Sequence, residues 1–209
     1  MTTKKATLDR RALLKLGAAG LAASTFPACA TTAAEKKDAL PVAQVADKPA
    51  SPTPLAASSF RVLGRTGLQV PIVSMGVMNA DNPNLVRAAL DGGMLLLDTA
   101  HGYQNGRNEE MLGTVLKDRP RDSFLLCTKV FLSTLDRKTG LFSPETRGEE
   151  ILEKLEISLK RLNLEHVDVL YLHAQSLRES TLLEPVLKGL EKAKKDGKAR
   201  FLGVSTNKN

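Results

Sequence analysis

A chain of 209 residues with 42% apolar and 25% charged residues can bury the core of one ordinary globular domain, which excludes a fibrous or wholly disordered polymer. More than half of its formal charge of +7 comes from the first thirty residues, where Lys4, Lys5, Arg10, Arg11 and Lys15 face only Asp9. The remaining excess is small and lacks basic runs interleaved with aromatics, so it excludes a nucleic-acid-binding surface.

The N-terminal run TLDRRALLKLGAAGLAASTFPACATTA has a basic start, a short Ala/Leu/Gly core and small residues at its end. That is the layout of a signal peptide over residues 1–30, and its apolar stretch is too short to span a membrane. Arg10-Arg11 before Ala12, Leu13 and Leu14 resembles a twin-arginine export signal, with Asp9 where such signals more often carry Ser or Thr. Export machinery reading that pair is one expected partner, and the periplasm is the expected location. Two processing routes stay open: cleavage at the small-residue site Ala28-Cys29-Ala30, or a lipoprotein-type cut that leaves lipid on Cys29. Lipid on Cys29 is the only membrane attachment foreseen. Residues 31–59 are rich in Ala, Pro, Thr and Lys without apolar period, and read as a disordered linker.

From residue 60 the pattern becomes regular. FRVLGRTGLQVP (60–71) has two short apolar arms around Gly64 and Gly67 and predicts a β-hairpin. PIVSMGV (71–77) reads as a buried strand. NLVRAALDGG (84–93) predicts a helix stopped by Gly92 and Gly93. MLLLDTA (94–100) is a strand, NEEMLGTVLKDRP (108–120) a helix ended by Pro120, and SFLLCTKV (123–130) a strand. Cys127 in that strand is a small buried hydrophobe, and with Cys29 it forms no metal or redox spacing. GEEILEKLEISLKRLNL (148–164) is a helix with Ile151, Leu152, Leu155, Leu159 and Leu162 on one face. VDVLYLHA (167–174) is a strand, LLEPVLKGLEKAKKDGKA (182–199) a helix, and RFLGVST (200–206) a strand. The strands are continuous apolar runs, as in a parallel sheet covered on both faces. No Gly-x-Gly-x-x-Gly follows the first strand, which argues against a doubly wound dinucleotide fold. The expected class is α/β: a partial (β/α)8 barrel with an N-terminal β-hairpin cap.

In such a barrel the chemistry lies at the carboxyl ends of the strands. Successive strands here end in Asp98, Lys129, His173 and Ser205, and Tyr103 follows Asp98 in a Gly/Asn-rich loop. A strand that reads as buried can finish on a carboxylate if it leaves the core at a site. Asp98 is then placed to hold Lys129, and Lys129 to polarise Tyr103. A free phenol, with a pKa near ~10, is a poor proton donor at neutral pH. A unit positive charge ~4 Å from a phenol, at an effective dielectric of ~20, is worth up to ~4 kcal/mol, or about three pKa units. His173 is placed to orient a carbonyl. His101 reads as a rim residue without a role and His166 as surface. Glu109 and Glu110 open a helix, where the dipole favours acids. Lys192, Lys194, Lys195 and Lys198 read as a solvated helix face. No spacing of His, Cys and carboxylates suggests a metal.

The runs D-T-A-x-x-Y (Asp98, Thr99, Ala100, Tyr103), N-E-x-x-L-G (Asn108, Glu109, Leu112, Gly113), T-K (Thr128, Lys129), Y-L-H (Tyr171, Leu172, His173) and G-V-S (Gly203, Val204, Ser205), with the hairpin R-V-L-G-R-T-G-L-Q-V-P, resemble an aldo-keto reductase from Phe60 to Asn207. The resemblance implies reduction of an aldehyde or ketone with NADP(H) or NAD(H). Tyr103 would be the general acid, Asp98 and Lys129 its tuning pair and His173 the carbonyl orienter. Ser205 would meet the carboxamide of the nicotinamide, and backbone around Gly76 and Met78 would line the same pocket. Thr206 stands between Ser205 and Asn207, where the family has Ser-Asn in succession. A full barrel takes about 250 residues, so residues 60–209 are expected to be a truncated barrel ending after about the fifth strand. Two alternatives stay open beside the reductase: a fragment that keeps the four catalytic residues without activity, and a non-catalytic binding or regulatory subunit.

Overall fold

A computed structural model describes residues 59–206. Arg10, Arg11, Cys29, residues 31–58 of the expected linker, and Asn207 lie outside the described residues. Ser59, expected to end the linker, already accepts a hydrogen bond from the Ile72 N–H at 2.8 Å.

The elements are β1 (Phe60–Val62), β2 (Gln69–Pro71), β3 (Met75–Gly76), α1 (Pro83–Asp91), β4 (Leu96–Asp98), α2 (Arg107–Leu116), β5 (Leu125–Val130), α3 (Glu149–Leu162), β6 (Val167–Gln175), α4 (Arg178–Thr181), α5 (Glu184–Lys195) and β7 (Ala199–Thr206). β1 and β2 form the antiparallel hairpin, Phe60 opposite Pro71. The other five strands make one parallel sheet in the order β3-β4-β5-β6-β7. Spatial order follows chain order without reversal, so this is the arc of a partial (β/α)8 barrel and not a doubly wound sheet.

Alternation along the strands separates two environments. Leu97, Leu126, Val130, Leu170 and Leu172 belong to the main core, together with Val86, Leu112, Ile151, Leu155 and Val186 from the helices. The side chains between them face the barrel interior. There Cys127 and Val169, with Leu96, Leu125, Tyr171 and Phe201 partly buried around them, pack under Leu68 and Val70 of the hairpin. The hairpin therefore plugs one end of the interior.

α1 starts as its sequence directs: the Asn82 side chain accepts from the Asn84 N–H at 2.9 Å and Pro83 takes the first helical position. α3 buries Ile151, Leu155, Ser158, Leu159 and Leu162 and ends on Asn163 in the left-handed conformation. One expectation fails. The apolar run 71–77 is not a buried strand: only Met75–Gly76 pairs, while Ile72 and Val73 are 59% and 50% exposed. Pro71 belongs to the hairpin and the Ile72 N–H is tied to Ser59, so these residues are used in the hairpin exit before the chain reaches the sheet.

Candidate active site

The residues that end the strands converge on one cavity of about 1000 Å³, lined by Asp98, Tyr103, Lys129 and His173, and also by Met78 and Ser205. Lys129 is its centre. On β5 it shares the interior-facing row with Leu125 and Cys127, and it is only 6% exposed. Its ammonium donates to Asp98 Oδ2 at 2.7 Å, to the Thr99 carbonyl at 2.8 Å and to the Tyr103 hydroxyl oxygen at 3.1 Å. An ammonium has three N–H donors, so each has an acceptor and the charge is fixed in place. Because Lys129 donates, the phenol of Tyr103 acts as acceptor and keeps its own O–H for a group in the cavity.

The loop that presents Tyr103 is strained and held. Gln104, Asn105 and Gly106 have φ of 51°, 57° and 91°, a run of left-handed residues that persists only under external constraint. The His101 N–H donates to the Lys129 carbonyl at 2.9 Å, and Gln104 Nε2 donates to the Met78 carbonyl at 3.1 Å. Arg161 of α3 donates to the His101 carbonyl at 3.0 Å and to Glu109 Oε2 at 3.2 Å. Gly106 makes room for that arginine: a Cβ there would sit 2.3 Å from the guanidinium carbon.

Behind the loop is a buried polar layer. Glu109, fully buried, accepts from Thr128 at 2.8 Å as well as from Arg161. It lies in the first turn of α2 as expected, but its partners are these side chains and not the helix dipole alone. Asn108 accepts from Thr99 at 2.6 Å and donates to the Val77 carbonyl at 2.6 Å, joining the loop after β3 to the loop after β4. Sequence reasoning missed this layer. Its only signal was the N-E-x-x-L-G run.

His173 stands edge-on to Tyr103, ring centres 5.8 Å apart at 78°. Burial first, then the Lys129 and Arg137 charges, lower its proton affinity below the ordinary imidazole value. That direction favours the neutral imidazole, which carries one N–H donor. Just after it Ala174 has φ 60° and the β6–β7 register shifts between Leu172 and Gln175. This bulge interrupts the ladder at the rim of the site, and pairing resumes at Gln175 opposite Thr206. His101, half-buried on the cavity wall, pairs with Ser158 at 3.0 Å. His166 is partly buried rather than fully solvated, and its carbonyl accepts from Arg121 at 3.3 Å. Lys192 and Lys194 are exposed as expected, whereas Lys198 lies beyond α5 and pairs with Glu156 at 2.9 Å.

The two tyrosines of the chain are in contrasting surroundings. Tyr171 is pushed up to about 12 by burial, then by Cys127 and Asp98, so it is no acid near neutrality. Tyr103 is the phenol that an ammonium touches. Gly76 stands in register with Asp98 at the sheet edge and is exposed, and it does not line the cavity.

A sequence model of the Aldo/keto reductase family matches residues 70–209. A protein of Schizosaccharomyces pombe named "Putative voltage-gated potassium channel subunit beta" is 34% identical over 160 residues, which cover 70% of this chain and 44% of that protein. The L-glyceraldehyde 3-phosphate reductase of Escherichia coli is 30% identical over 170 residues, 75% of this chain and 48% of that one. The crystal structure of an aldo-keto reductase from Klebsiella pneumoniae in complex with NADPH superposes with a TM-score of 0.53 at 25% identity, over 66% of this chain and 46% of that one. The chain thus spans about half the length of the curated relatives it matches.

Proposed function

The chain belongs to the aldo/keto reductase family, and from that premise we propose that its site reduces an aldehyde or ketone with a reduced nicotinamide cofactor, Tyr103 acting as general acid. The observation that supports this reading most is the Lys129 ammonium held between Asp98 at 2.7 Å and the Tyr103 hydroxyl at 3.1 Å, on the wall of a cavity shared with His173.

The nicotinamide cofactor is inferred from the family and from the NADPH in the Klebsiella pneumoniae structure. The residues fit its reactive end. Ser205 and Met78 line the same cavity as the phenol, and the Asp98 side chain remains 38% exposed. When bound, that group supplies a hydride to the carbonyl carbon. The chain supplies the rest. Neutral His173 donates its N–H to the carbonyl oxygen and fixes its angle. Tyr103 delivers its proton to that oxygen as negative charge develops, and Lys129 stabilises the phenolate left behind. Asp98 and the Thr99 carbonyl hold Lys129 at that post. Hydride and proton together turn the carbonyl into an alcohol, and solvent reprotonates the phenolate.

Loss of NADPH absorbance with 4-nitrobenzaldehyde tests this. Tyr103→Phe is expected to lower kcat about 10²–10⁴-fold. An unchanged rate in that variant, or a folded wild-type chain without turnover, sinks the reading, and the latter result favours a non-catalytic subunit.

We also propose that the protein is exported folded through the twin-arginine route, read at Arg10 and Arg11, to the periplasm. Folded export would let bound nucleotide travel with the enzyme. Cell fractionation checks it: Arg10→Lys with Arg11→Lys is expected to keep the protein in the cytoplasm, and unchanged export overturns it.

A further inference from the structure

Between β5 and α3 the chain makes a long excursion over the mouth of the cavity, and its sequence shows no periodicity. It is nonetheless ordered. Leu135 bridges Phe142 in antiparallel fashion. The Asp136 N–H donates to the Leu141 carbonyl at 2.9 Å, and the Gly140 N–H to the Asp136 carbonyl at 2.7 Å. Gly140, at φ 77°, closes the turn, and its carbonyl accepts from Ser180 at 2.5 Å. A small hairpin is thus pinned to the segment after His173. At its tip, Arg137 folds back over the ring of Phe131 with the guanidinium carbon 4.5 Å from the ring centre. Both residues line the cavity of Tyr103, Lys129 and His173.

The charge balance of that wall is uneven. Lys129 is paired with Asp98 and Lys154 with Glu150, at 2.7 Å each. Arg137 has no carboxylate partner among the described residues. The neighbouring acid, Asp136, is turned into its own loop, where it accepts from the Lys138 N–H at 2.8 Å and the Thr139 hydroxyl at 3.0 Å. Among the described residues, the result is a guanidinium without a carboxylate partner, preorganised by stacking, on the wall of a site whose two lysines are paired. A planar fork of donors matches a carboxylate or phosphate.

We propose that the substrate of this site is a carbonyl compound that also carries a carboxylate or phosphate, and that Arg137, held on Phe131, is the residue that binds this anion. The proposal rests on the reading of the site as carbonyl-reducing, and its test separates the two. 4-Carboxybenzaldehyde and 4-methylbenzaldehyde have similar shape and differ in charge. With the full chain and NADPH, Arg137→Met is expected to raise KM for the carboxylated aldehyde about 10-fold, the scale of a lost charge-assisted hydrogen bond. Its kcat should stay constant and KM for the methyl compound unchanged, with Arg137→Lys in between. Calorimetric titration of 4-carboxybenzaldehyde in the presence of NADP⁺ should show the same weakening without turnover. Equal KM shifts for both aldehydes, or none, overturn the proposal. So does a loss of NADP⁺ affinity in Arg137→Met, which would assign the guanidinium to the cofactor. If no aldehyde is turned over but the carboxylated one still binds through Arg137, the anion site stands and the reductase reading falls.

Discussion

Two carboxylates hold cations at opposite ends of one sheet, and only one of them meets a cavity. Asp168, near the start of β6, is fully buried. Its oxygens accept from Arg121 at 2.7 Å, Arg200 at 2.6 Å and the Leu126 N–H at 2.9 Å. Those contacts fasten β5, β6 and β7 where they begin. Asp98, at the end of β4, holds Lys129 at 2.7 Å, and its side chain stays 38% exposed. Both are carboxylate–cation clusters on the same fold. The first is closed, so it can only hold the strands. The second opens on a space where a phenol and an imidazole also end, so its charge can act on a reacting group. Solvation and position divide stability from chemistry, in line with the division of barrel enzymes into a stabilising amino-terminal face and a catalytic carboxyl-terminal face.

Substitutions that separate the two faces are the strongest way to break that comparison. Asp168→Ala leaves two arginines and a buried N–H without their acceptor. It should lower the unfolding free energy by about 3 kcal/mol, near the low end for a broken buried pair because both arginines are partly exposed. Denaturant titration reads the loss, while kcat of the folded protein should stay within about twofold. Asp98→Asn should do the reverse. Its ion pair, more than a third exposed, is worth at most about 1 kcal/mol of stability, whereas kcat should fall about 10²-fold as Lys129 loses its anchor. If Asp98→Asn unfolds the chain and Asp168→Ala abolishes turnover, the assignment of the two ends is wrong.

Arg161 joins the two roles, and so sharpens the comparison. It binds buried Glu109 and the carbonyl of His101 in the Tyr103 loop. Arg161→Gln should cost about 2 kcal/mol, the scale of hydrogen bonds to a charged group. It should also lower kcat more than KM changes, because the strained run Gln104–Gly106 loses its brace. A stability loss with kcat intact would show that the loop holds itself.

Much of this was legible in the sequence because it depends on local pattern. Continuous apolar runs ending in Asp98, Lys129 and His173 marked both the strands and the rim, and parallel pairing in chain order then brings the rim together. What remained hidden depends on partners distant in sequence. Glu109 looked like an ordinary first-turn acid until Arg161, fifty-two residues on, reached it. Asp168 lay in an apolar run with nothing to show that Arg121 and Arg200 would flank it. Arg137 sat in a stretch without period, where a turn around Gly140 and the distant Ser180 hydroxyl fix a hairpin that no apolar pattern announces. The shortness of β3 is not legible either, because composition does not reveal that Ile72 and Val73 follow the hairpin instead of the sheet.

The smallest expected effect is a pH dependence of stability, and it also bears on the open end of the sheet. The chain has three histidines, and all have a proton affinity below the ordinary value of 6.5. For His101 the causes are burial and then the net of Glu109 against Arg161 and Lys154; for His166, burial and Arg121; for His173, burial and Lys129. Above 6.5 the imidazoles are neutral in both folded and unfolded chains, and stability is complete. As pH falls through that value the unfolded chain takes up protons that the folded chain refuses, so stability declines until the lower folded values are passed. Asp136, held below the ordinary carboxylate range by the Lys138 N–H and the Thr139 hydroxyl, adds its own loss only as pH drops below 3.8. The melting temperature should therefore be level down to about pH 7 and then fall in a first step that precedes the carboxylate step. His101→Asn with His166→Gln and His173→Gln should flatten the first step and leave the second. A melting temperature that rises between 6.5 and the carboxylate range would mean that the fold stabilises charged imidazoles. The proposed role of His173 as a neutral donor would then lose the support of its lowered proton affinity.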